Sequence, residues 1–576
     1  MSVHSPIARR PAKRVSALVF GLKAVPFALL ALTVHAQMPP NAGSLQREAE
    51  QAFPRTVPTA ILPAPPAPMK QADKGATVTV RAFAIEGATL VSAAELAGLL
   101  SDQMGQSLTL AELERVTRRI TAHYRARGWF ARAYLPAQEI VDGVIRIVVV
   151  EGRFSGLQLD PAAPTRADTN FASQIAGHGL VAGQPLPAAR LERNLLLAND
   201  QPGIATTGIL EPGEVVGETT LRIKVEDTPL FSGDAAYANH GSRSTGTDQL
   251  TTSLALAPGD GSQVRLNVLA AERITSVRAQ YGLPLGSDGW RASVHVSDLR
   301  YTLGGDFAKL NASGSAQTTG LTASYPILRT AAANLNTSAM LENRHYADDS
   351  LGAASKRKQA DVLVLSAFGD RSDDLLGGGI NQGNLSLMSG KLDLSGLASD
   401  LSTDQTTARS NGQYTKLAGQ FSRLQKLPGS FSMNVALAAQ MADKNLDSSE
   451  KFALGGPNGV RAYPVNEAVG DEGWLLNVEL RNELGNNWRV FGFYDSGEVL
   501  QHRNTWAGWQ GGSSTPNRYA LSGTGLGLAW AKPGDLSVVL TLAEPVGDHP
   551  GKTTADKNQD GSARETRAWL RVSKFF

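Results

Sequence analysis

The chain has 576 residues, with 55 Lys and Arg, 53 Asp and Glu, 58 Gly and no Cys. The absence of cysteine excludes a disulfide scaffold, Cys-ligated zinc, iron–sulfur clusters and a thiol nucleophile. The near balance of charge gives no basic excess, so nucleic acid is not an expected partner. Composition alone is compatible with several ordinary domains, or with one large closed architecture that carries small modules.

The N-terminus has the pattern of a secretory signal peptide. Four basic residues between positions 9 and 14 precede an apolar run at 24–32, which ends in Val-His-Ala at 34–36. This order predicts a signal peptide over residues 1–36. A membrane anchor needs about 20 apolar residues, and this run is too short. Without residues 1–36 the chain holds 50 basic and 53 acidic residues, a net charge of −3.

A short helix and a proline-rich spacer come next. The stretch "SLQREAEQAF", from Ser44 to Phe53, predicts a helix within residues 37–56. Six prolines between positions 54 and 68 predict an extended linker over residues 57–76. An isolated helix of ten residues is marginal in water, so we expect a larger part of the molecule to hold it.

Residues 77–153 predict a β-α-α-β-β unit. "VTVRAFAIEG" (78–87) alternates like a strand. Ser92 with Glu95, and Thr109 with Glu112, form the S/T-x-x-E pattern that opens a helix. The unit is expected to close with two strands, "GWFARAYLPAQEI" (128–140) and "GVIRIVVVEGR" (143–153).

Residues 154–228 repeat this plan. A strand at "FSGLQL" precedes helices near 171–176 and 188–200, and closing strands are expected near 205–210 and 219–227. The two segments are interpreted as tandem copies of one module.

The remaining residues, 229–576, favour a membrane β-barrel. About sixteen short segments alternate with turns; in one, Trp474, Leu476, Val478 and Leu480 share a face opposite Asn477, Glu479, Arg481 and Glu483. The 348 residues give about 22 for each strand and its connection, and a spanning strand needs about 9–11. The last residues, "AWLRVSKFF", end in an aromatic residue, as outer-membrane barrels commonly do. A soluble β-sandwich is the alternative; the signal peptide favours the barrel.

The stretch "GGPNGVRAYP" (455–464) cannot form a helix or a central strand, and it contains Arg461. On "WRVFGFYDSGEV", Asp495 shares a face with Phe491 and Phe493. Because a carboxylate facing lipid is costly, we expect Asp495 to point inward together with the two aromatic rings.

Inward aromatic rings need a packing partner. A loop at about residues 447–473 that folds back into the lumen would supply it, with Val460 and Tyr463 at its tip. Arg461 could then form a bidentate pair with Asp495. In the alternative, Arg461 is a solvated loop residue and Asp495 an ordinary lumen residue.

Three passages together resemble a known family. They are residues 124–154, "LLLANDQPGI", and the pair formed by Val460-Arg461-Ala462-Tyr463 and "FYDSG". The last pair is similar to the loop motif Val-Arg-Gly-Tyr and the strand motif Phe-x-Asp-x-Gly, the latter carried by Phe493, Asp495 and Gly497. In this order they resemble the TpsB-type translocators of two-partner secretion, the haemolysin secretion/activation protein family, within the superfamily of the outer-membrane barrel-assembly protein.

The resemblance implies an all-β membrane barrel plus α+β domains. A plug helix (37–56) and a linker (57–76) would precede two periplasmic POTRA domains (77–153 and 154–228) and a sixteen-stranded antiparallel transmembrane β-barrel (229–576). It also implies an outer-membrane translocator that recognises one unfolded partner protein through its POTRA domains and secretes it to the cell surface. The implied partners are a large TpsA-type adhesin, haemolysin or similar protein, outer-membrane lipid, and the barrel-assembly machinery for its own insertion.

The resemblance implies a loop-anchoring role for Val460, Arg461, Tyr463, Phe493, Asp495 and Gly497. Client recognition is assigned to Tyr134, Leu135, Pro136 and Gln138, where an exposed strand edge would suit β-augmentation. The alternative is that the POTRA domains are only structural spacers. Ala462 departs from the motif's glycine, which puts in doubt any geometry there that needs a positive φ.

Motifs of enzymes and cofactor sites are not found. "DKNQDG" imitates the start of an EF-hand, but its twelfth position is Arg567 instead of glutamate. "GTGLG" (523–527) lies in a predicted strand and is no dinucleotide loop. We therefore expect no enzyme activity, cofactor or metal. Two other functions stay open: a membrane-protein insertase, which would normally carry more than two POTRA domains, and a diffusion porin, which would explain neither the repeated modules nor the paired motifs.

Overall fold

The computed structural model describes residues 39–53, 77–162, 164–511, 513–553, 555–563 and 565–576. The predicted signal peptide (1–36) and the predicted linker (57–76) lie outside these residues. Helix α1 spans Ala42–Ala52. Its N-cap is Asn41, whose side chain accepts the Ser44 N–H in a capping box. The predicted helix therefore begins two residues earlier than the sequence indicated, because the cap and not the first strong helix former sets its start.

The first module contains β1 (Thr77–Thr79), β2 (Ala82–Glu86), α2 (Ala93–Leu99), a 3-10 turn (Ser101–Gln103), β3 (Ser107–Thr109), α3 (Leu110–Ala126), β4 (Ala131–Tyr134) and β5 (Val144–Glu151). It has a three-stranded sheet of order β2-β5-β4, with an additional β1-β3 pair.

Two strand predictions in this module were wrong in detail. The segment 78–87 is two strands, because buried Val80 turns away and exchanges backbone hydrogen bonds with Gly105 and Gln106. The segment 128–140 is a strand only over β4. Beyond Tyr134 the side-chain amide of Gln138 replaces a strand: its Nε2 donates to Arg146 O at 2.8 Å, and its Oε1 accepts the Arg146 N–H at 2.7 Å.

A buried carboxylate ties the helices of this module to its sheet. Glu151 accepts the backbone N–H groups of Thr89 and Leu90, each at 2.7 Å, and the Tyr124 hydroxyl at 2.9 Å. Burial alone would raise the pKa of Glu151, but these donors hold its pKa below the usual range. The module is therefore most stable with this carboxylate ionised.

The second module has sheet order β6-β8-β7, with β6 parallel to β8. Its elements are β6 (Arg153–Leu159), α4 (Thr169–Ala176), α5 (Ala188–Asn199), β7 (Ile204–Pro212) and β8 (Glu218–Asp227). Its core contains Ala172, Leu191, Leu221 and Ile223. The helices and strands expected from the second copy of the β-α-α-β-β plan are all present.

The second module lies against the turns at one end of the barrel. Arg329 binds the carboxylate of Asp200 through Nε and NH2, at 2.7 and 2.8 Å. Glu192 accepts the Ala331 N–H at 2.8 Å, and Arg193 donates to Pro326 O at 2.8 Å. Polar contacts thus fix this module directly below one side of the barrel.

Sixteen antiparallel strands close into one barrel, as the sequence predicted. In chain order the strands of residues 229–576 are β9 (Phe231–Ala238), β10 (Gln249–Leu256), β11 (Gln263–Ala271), β12 (Ile274–Leu285), β13 (Trp290–Thr302), β14 (Ser313–Arg329), β15 (Ala333–Ser350), β16 (Ala353–Asp373), β17 (Gly379–Asp393), β18 (Gly412–Lys426), β19 (Phe431–Ala442), β20 (Phe452–Ala453), β21 (Val469–Gly470), β22 (Glu472–Gly485), β23 (Trp488–Leu500), β24 (Arg518–Lys532), β25 (Leu536–Val546) and β26 (Arg567–Phe575). Strands β20 and β21 pair only with each other, inside one loop. The other helical segments are two 3-10 turns (Gly305–Leu310 and Leu375–Gly377) and α6 (Ala398–Thr406).

The barrel closes where β26 pairs with β9. At this junction the Asn239 side chain accepts the Leu570 N–H at 2.8 Å and donates to Ala568 O at 3.0 Å. At the other end the backbones of Gly233 and Phe576 exchange two hydrogen bonds, of 2.9 and 3.0 Å. The first and last strands therefore meet in a bonded seam.

Side chains alternate between lipid and lumen. On β13, Trp290, Val294 and Val296 are exposed on the outer face, whereas His295 is buried inside. The strands are unequal: β9 to β11 have 8–9 residues and β14 to β18 have 15–21. Since about 9–11 residues span the membrane, one side of the wall extends well beyond it. None of the helices in the described residues is both long and apolar enough to cross a membrane.

Candidate functional site

The segment between β19 and β22, residues 443–471, folds back into the lumen; it is called the inward loop. Its middle contains the short β20-β21 pair, and its tip is the stretch 455–464. The expected range of the inward fold, about 447–473, overlaps this loop, but its last two residues, 472 and 473, belong to β22. Val460, Ala462 and Tyr463 at the tip are all buried.

Arg461 reaches Asp495 on β23. Its Nε and NH2 donate to the two carboxylate oxygens at 2.9 and 2.8 Å, and its backbone N–H donates to Oδ2 at 3.1 Å. Asp495 has no exposed surface. The bidentate contact considered from the sequence is therefore present, and its role in secretion stays a prediction.

Three further polar residues complete this ion pair. Arg461 NH1 donates to Glu479 at 2.9 Å, and Glu479 also accepts from Arg481 Nε at 2.7 Å. Asn477 Nδ2 donates to Asp495 Oδ1 at 2.7 Å and to Gly459 O at 3.1 Å. Two cations face two carboxylates, so the group is neutral as a whole. The sequence placed these three residues on the polar face of β22 but did not connect them to Arg461.

Inward aromatic rings on β23 lie over glycines of β24. A Cβ on Gly525 would come within 2.5 Å of the Phe493 ring, and one on Gly527 within 2.0 Å of the Phe491 ring. The guanidinium carbon of Arg461 is 3.5 Å from the Phe493 ring centroid, a cation–π contact. The "GTGLG" stretch is thus a flat surface that accommodates the rings.

Ala462 does not conflict with the fold of the tip. The positive φ angles in the inward loop belong to Gly456 (120°), Asn466 (63°) and Ala468 (55°), and the φ of Ala462 is not positive. Its methyl group packs over β24, where a Cβ on Gly523 would come within 2.6 Å of it. The doubt raised by alanine at the glycine position of the motif is therefore resolved: the backbone there suits any L-residue.

The remaining motif residues pack the tip against the wall. Val460 and Tyr463 belong to one buried cluster with Leu454 and Phe493. A Cβ on Gly497 would lie 2.5 Å from Leu454 Cδ2, so only glycine lets the loop approach β23 there. Trp569, which the sequence did not single out, donates its Nε1–H to Arg461 O at 2.7 Å. The sequence signal that could have identified Trp569 is its place on the inward face of β26.

Helix α1 lies in the lumen beside this loop. Ala42, Leu45 and Ala49 pack on inward side chains that include Leu299 and Tyr301. Its opposite side is polar and makes hydrogen bonds to the wall and to the inward loop. Gln46 Nε2 donates to Thr318 at 2.8 Å, Arg47 NH2 donates to Asn466 at 2.9 Å, and Glu48 accepts from Asn466 at 2.9 Å. The helix therefore fills part of the pore through contacts with both wall and loop.

The residues predicted for client recognition lie at the end of β4. Tyr134 is exposed, whereas Leu135 and Pro136 are half-buried. Gln138 is engaged with Arg146, as described above. The structure therefore leaves Tyr134 as the most accessible of the four, and their role in recognition stays a prediction.

The order of modules, barrel and inward loop agrees with a match to known families. Residues 217–529, more than half of the chain, match the model of the haemolysin secretion/activation protein family ShlB/FhaC/HecB. The chain belongs to this family. Residues 78–152 match the ShlB-type POTRA domain.

Individual relatives agree with this assignment. The heme/hemopexin transporter protein HuxB of Haemophilus influenzae is 28% identical over 499 residues, which cover 84% of each chain. The outer membrane transporter CdiB of Dickeya dadantii (strain 3937) is 24% identical over 442 residues, covering 74% of this chain and 75% of the relative. The solved structure of CdiB from Escherichia coli covers 92% of this chain and 95% of its own, with a TM-score of 0.66 and 21% identity, and shows the same fold.

This ShlB/FhaC/HecB family member is an outer-membrane transporter of the two-partner secretion type, with its POTRA domains in the periplasm. The family is one of transporters and not a known family of enzymes. Neither an insertase nor a plain porin is favoured.

Proposed function

We propose that this transporter secretes one large partner protein, which its POTRA domains capture unfolded in the periplasm and pass into the barrel. The observation that carries the proposal is a helix inside a sixteen-stranded barrel, with two POTRA domains below it. A plain porin needs neither. The plug helix α1, about 16 Å long for 11 residues, is small enough to leave a pore when it is displaced.

The loop tip has a defined task in this proposal. Val460, Arg461 and Tyr463 are held against β23 by Phe493, Asp495 and Gly497, so the tip stays beside the wall while the centre of the barrel is open to a chain. An ion pair of this kind fixes position more than it adds net stability. Arg461 and Asp495 therefore act as positioning residues for translocation.

Strand addition is proposed as the mode of capture. An unfolded chain can pair with a free sheet edge and leave its side chains to nearby apolar surface. In the first POTRA domain β4 offers only four residues, and its Ala133 N–H already donates to Thr121 Oγ1 at 3.1 Å. In the second, β7 is a nine-residue edge with exposed Ile209; its Thr206 N–H donates to Asn199 Oδ1 at 3.0 Å, and the strand continues for six residues beyond Thr206. We therefore assign strand addition to β7, and an apolar contact to Tyr134.

The partner is expected to be an adhesin, a haemolysin or a protein of similar size. The name of HuxB adds heme/hemopexin transport as a further class for the partner's activity. Outer-membrane lipid surrounds the barrel, and the barrel-assembly machinery inserts it. No nucleotide or other cofactor is part of the proposal.

Two point variants test the mode of capture. Ile209→Lys places a charge beside the β7 edge, and Tyr134→Ala removes the exposed ring. Each is expected to lower the amount of partner at the cell surface. Val216→Lys, at a fully accessible position in the β7-β8 turn, is the matched control and should secrete normally. Normal secretion by both test variants would reject capture at these two places.

A further inference from the structure

The base of the inward loop carries a second set of buried charges, away from the tip. Residues 447–451, Asp-Ser-Ser-Glu-Lys, are called the loop-base segment. Lys358 on β16 donates from Nζ to both carboxylate oxygens of Asp447, at 2.7 and 2.8 Å. The Lys358 side chain has no exposed surface. The first residue of the segment is thus bound to the wall by a buried pair.

Glu450 lies between two cations of the same wall. Its Oε1 is 2.5 Å from Arg344 NH1 on β15, and its Oε2 is 2.8 Å from Lys416 Nζ on β18. Its backbone oxygen also accepts from Lys416 and from Gln440, each at 2.9 Å. Because a buried carboxylate is unfavourable without such partners, the three wall residues determine where Glu450 can lie.

Lys451 connects the two limbs of the loop. Its Nζ binds Asp471, at the far end of the loop, at 2.5 Å. Asp471 is fully buried and also accepts the N–H groups of Leu446, at 3.0 Å, and Arg503, at 2.8 Å. The loop base is therefore closed on itself as well as bound to the wall.

The loop-base segment is also in direct contact with the plug helix. Arg47 NH1 donates to Ser448 O at 2.7 Å and to Lys451 O at 2.9 Å. Ser448 Oγ donates to Asn41 Oδ1, beside the helix N-terminus, at 2.8 Å. Gly43 faces Ser449 so closely that a Cβ on Gly43 would come within 2.8 Å of Ser449 Cβ. Two backbone oxygens and one hydroxyl of the loop-base segment thus bind the helix. These groups can hold the helix in place only if other contacts fix the position of the segment itself.

We propose that Arg344, Lys358 and Lys416 hold the loop-base segment as a support for the plug helix, and that this support keeps the pore closed at rest. These residues are positioning residues that act on the helix through Asp447 and Glu450. The Arg461–Asp495 pair instead holds the tip, which contacts the helix through a longer hydrogen bond, Asn458 Nδ2 to Gln51 O at 3.4 Å. The inference rests on the proposed role of α1 as a plug. It assigns closing of the pore to the loop-base segment and positioning of the tip to the Arg461–Asp495 pair.

The first test measures ion conductance of the full mature chain in planar lipid bilayers. Asp447→Asn with Glu450→Gln removes both carboxylate charges of the segment and keeps the side-chain size. The fraction of time in the open state is expected to rise about tenfold, which corresponds to about 1.4 kcal/mol. The matched control removes a lumen-side pair that does not touch the loop, Arg489–Glu483 (2.5 Å), by Glu483→Gln; its conductance should equal that of the wild type.

A reversible cross-link checks that the helix is the element released. The chain has no native cysteine, so Asn41→Cys with Ser448→Cys, at two side chains that meet in a 2.8 Å hydrogen bond, creates a single possible disulfide. In the Asp447→Asn, Glu450→Gln background, oxidation should return conductance to the resting level and reduction should raise it again. Conductance that stays high after complete oxidation would overturn the proposal. Circular dichroism, and migration as a folded barrel on detergent gels when the sample is not heated, confirm that each variant is folded.

The swapped pair Lys358→Asp with Asp447→Lys provides a second variant in case the first does not fold. It restores opposite charges and should keep the pore closed, whereas Lys358→Asp alone should open it. A chain without residues 37–56 distinguishes the support role of the loop-base segment from the plug role of α1. If that deletion opens the pore but the loop-base variants do not, the support role is wrong. If the deletion leaves conductance at the resting level, the plug role itself is wrong, and the inference fails with it.

Discussion

The carboxylate of Asp495 receives three hydrogen bonds from Arg461: one from the backbone N–H and two from the guanidinium. This arrangement requires the loop backbone, and not only a long side chain, to reach the β23 wall. Lysine could not reproduce it, because an ammonium group cannot make the two parallel bonds of a guanidinium. The contact therefore defines the position of the loop tip within the lumen.

Removing either partner should impair secretion and leave a folded barrel. Arg461→Ala or Asp495→Ala leaves a buried opposite charge, which costs about 3–5 kcal/mol locally, while the strand ladder stays intact. Secretion of the partner is expected to fall at least tenfold, and the swap Arg461→Asp with Asp495→Arg should restore it in part. Arg489→Ala, on the same strand face but exposed, is the control. Secretion at the wild-type level from both single variants would contradict the positioning role.

The glycines of β24 should tolerate no side chain under the aromatic rings. Gly527→Val would collide with Phe491, so we expect a loss of about 1–3 kcal/mol from overpacking and a lower yield of folded barrel. Phe491→Ala in the same chain should recover most of that yield, because it removes the ring. Gly492→Ala, whose new Cβ would be 3.4 Å from its nearest neighbour, is the control. An equal yield for Gly527→Val and wild type would show that the ring packing is wrong.

The first POTRA domain should lose stability in acid through Glu151. Its pKa is held below the ordinary value of about 4.3, so its contribution is fully present above pH 4.3 and is lost as the pH falls through the lower folded-state pKa. Glu151→Gln should be less stable than wild type by about 1–3 kcal/mol at pH 7, and the difference should shrink towards pH 3. Amide hydrogen exchange of α3 in the full chain measures this. Parallel pH profiles for the two proteins would disprove the assignment.

Contacts between the second POTRA domain and the barrel should act together. Asp200→Ala alone removes a partly exposed pair with Arg329, worth at most about 1 kcal/mol, and should change little. Asp200→Ala with Glu192→Ala and Arg193→Ala removes three contacts and should make the segment after β8 more sensitive to protease. Glu211→Ala, which breaks an ion pair with Arg222 inside the domain, is the control. Equal cleavage of the triple variant and wild type would mean that apolar contacts hold the domain.

The sequence predicted those features that show as a regular spacing of side chains along the chain or as a recognisable motif. Alternation revealed the barrel and its sixteen strands, and the capping pattern of Thr109 and Glu112 marked the start of α3. Asp495 could be placed inward because a carboxylate facing lipid is costly, and the two aromatic rings on its face then required a second element in the lumen to pack on. These inferences needed only neighbours along one strand.

Features that depend on distant residues were not predicted. Glu450 and Arg344 are 106 positions apart, and nothing local shows that they meet. The contact of Trp569 with Arg461 spans 108 positions. The strand is interrupted at Val80 because the Val80 backbone bonds to Gly105 and Gln106. Strand β4 is short because the side-chain amide of Gln138 takes the place of its continuation beside Arg146. Periodicity reports which face a residue takes, but not which residue it will face across the lumen.

In the function proposed above, this chain secretes one partner protein through its barrel after its POTRA domains have captured that protein. The most direct test compares the full chain with a chain that lacks residues 77–228, each expressed with the same candidate partner, a large exported protein from the same organism. Surface-exposed partner and total outer-membrane proteins are measured in the same cells. We predict that the deletion abolishes surface exposure of that one protein and leaves other outer-membrane proteins unchanged. A general loss of outer-membrane barrels, or undiminished secretion of the partner, would contradict the claim.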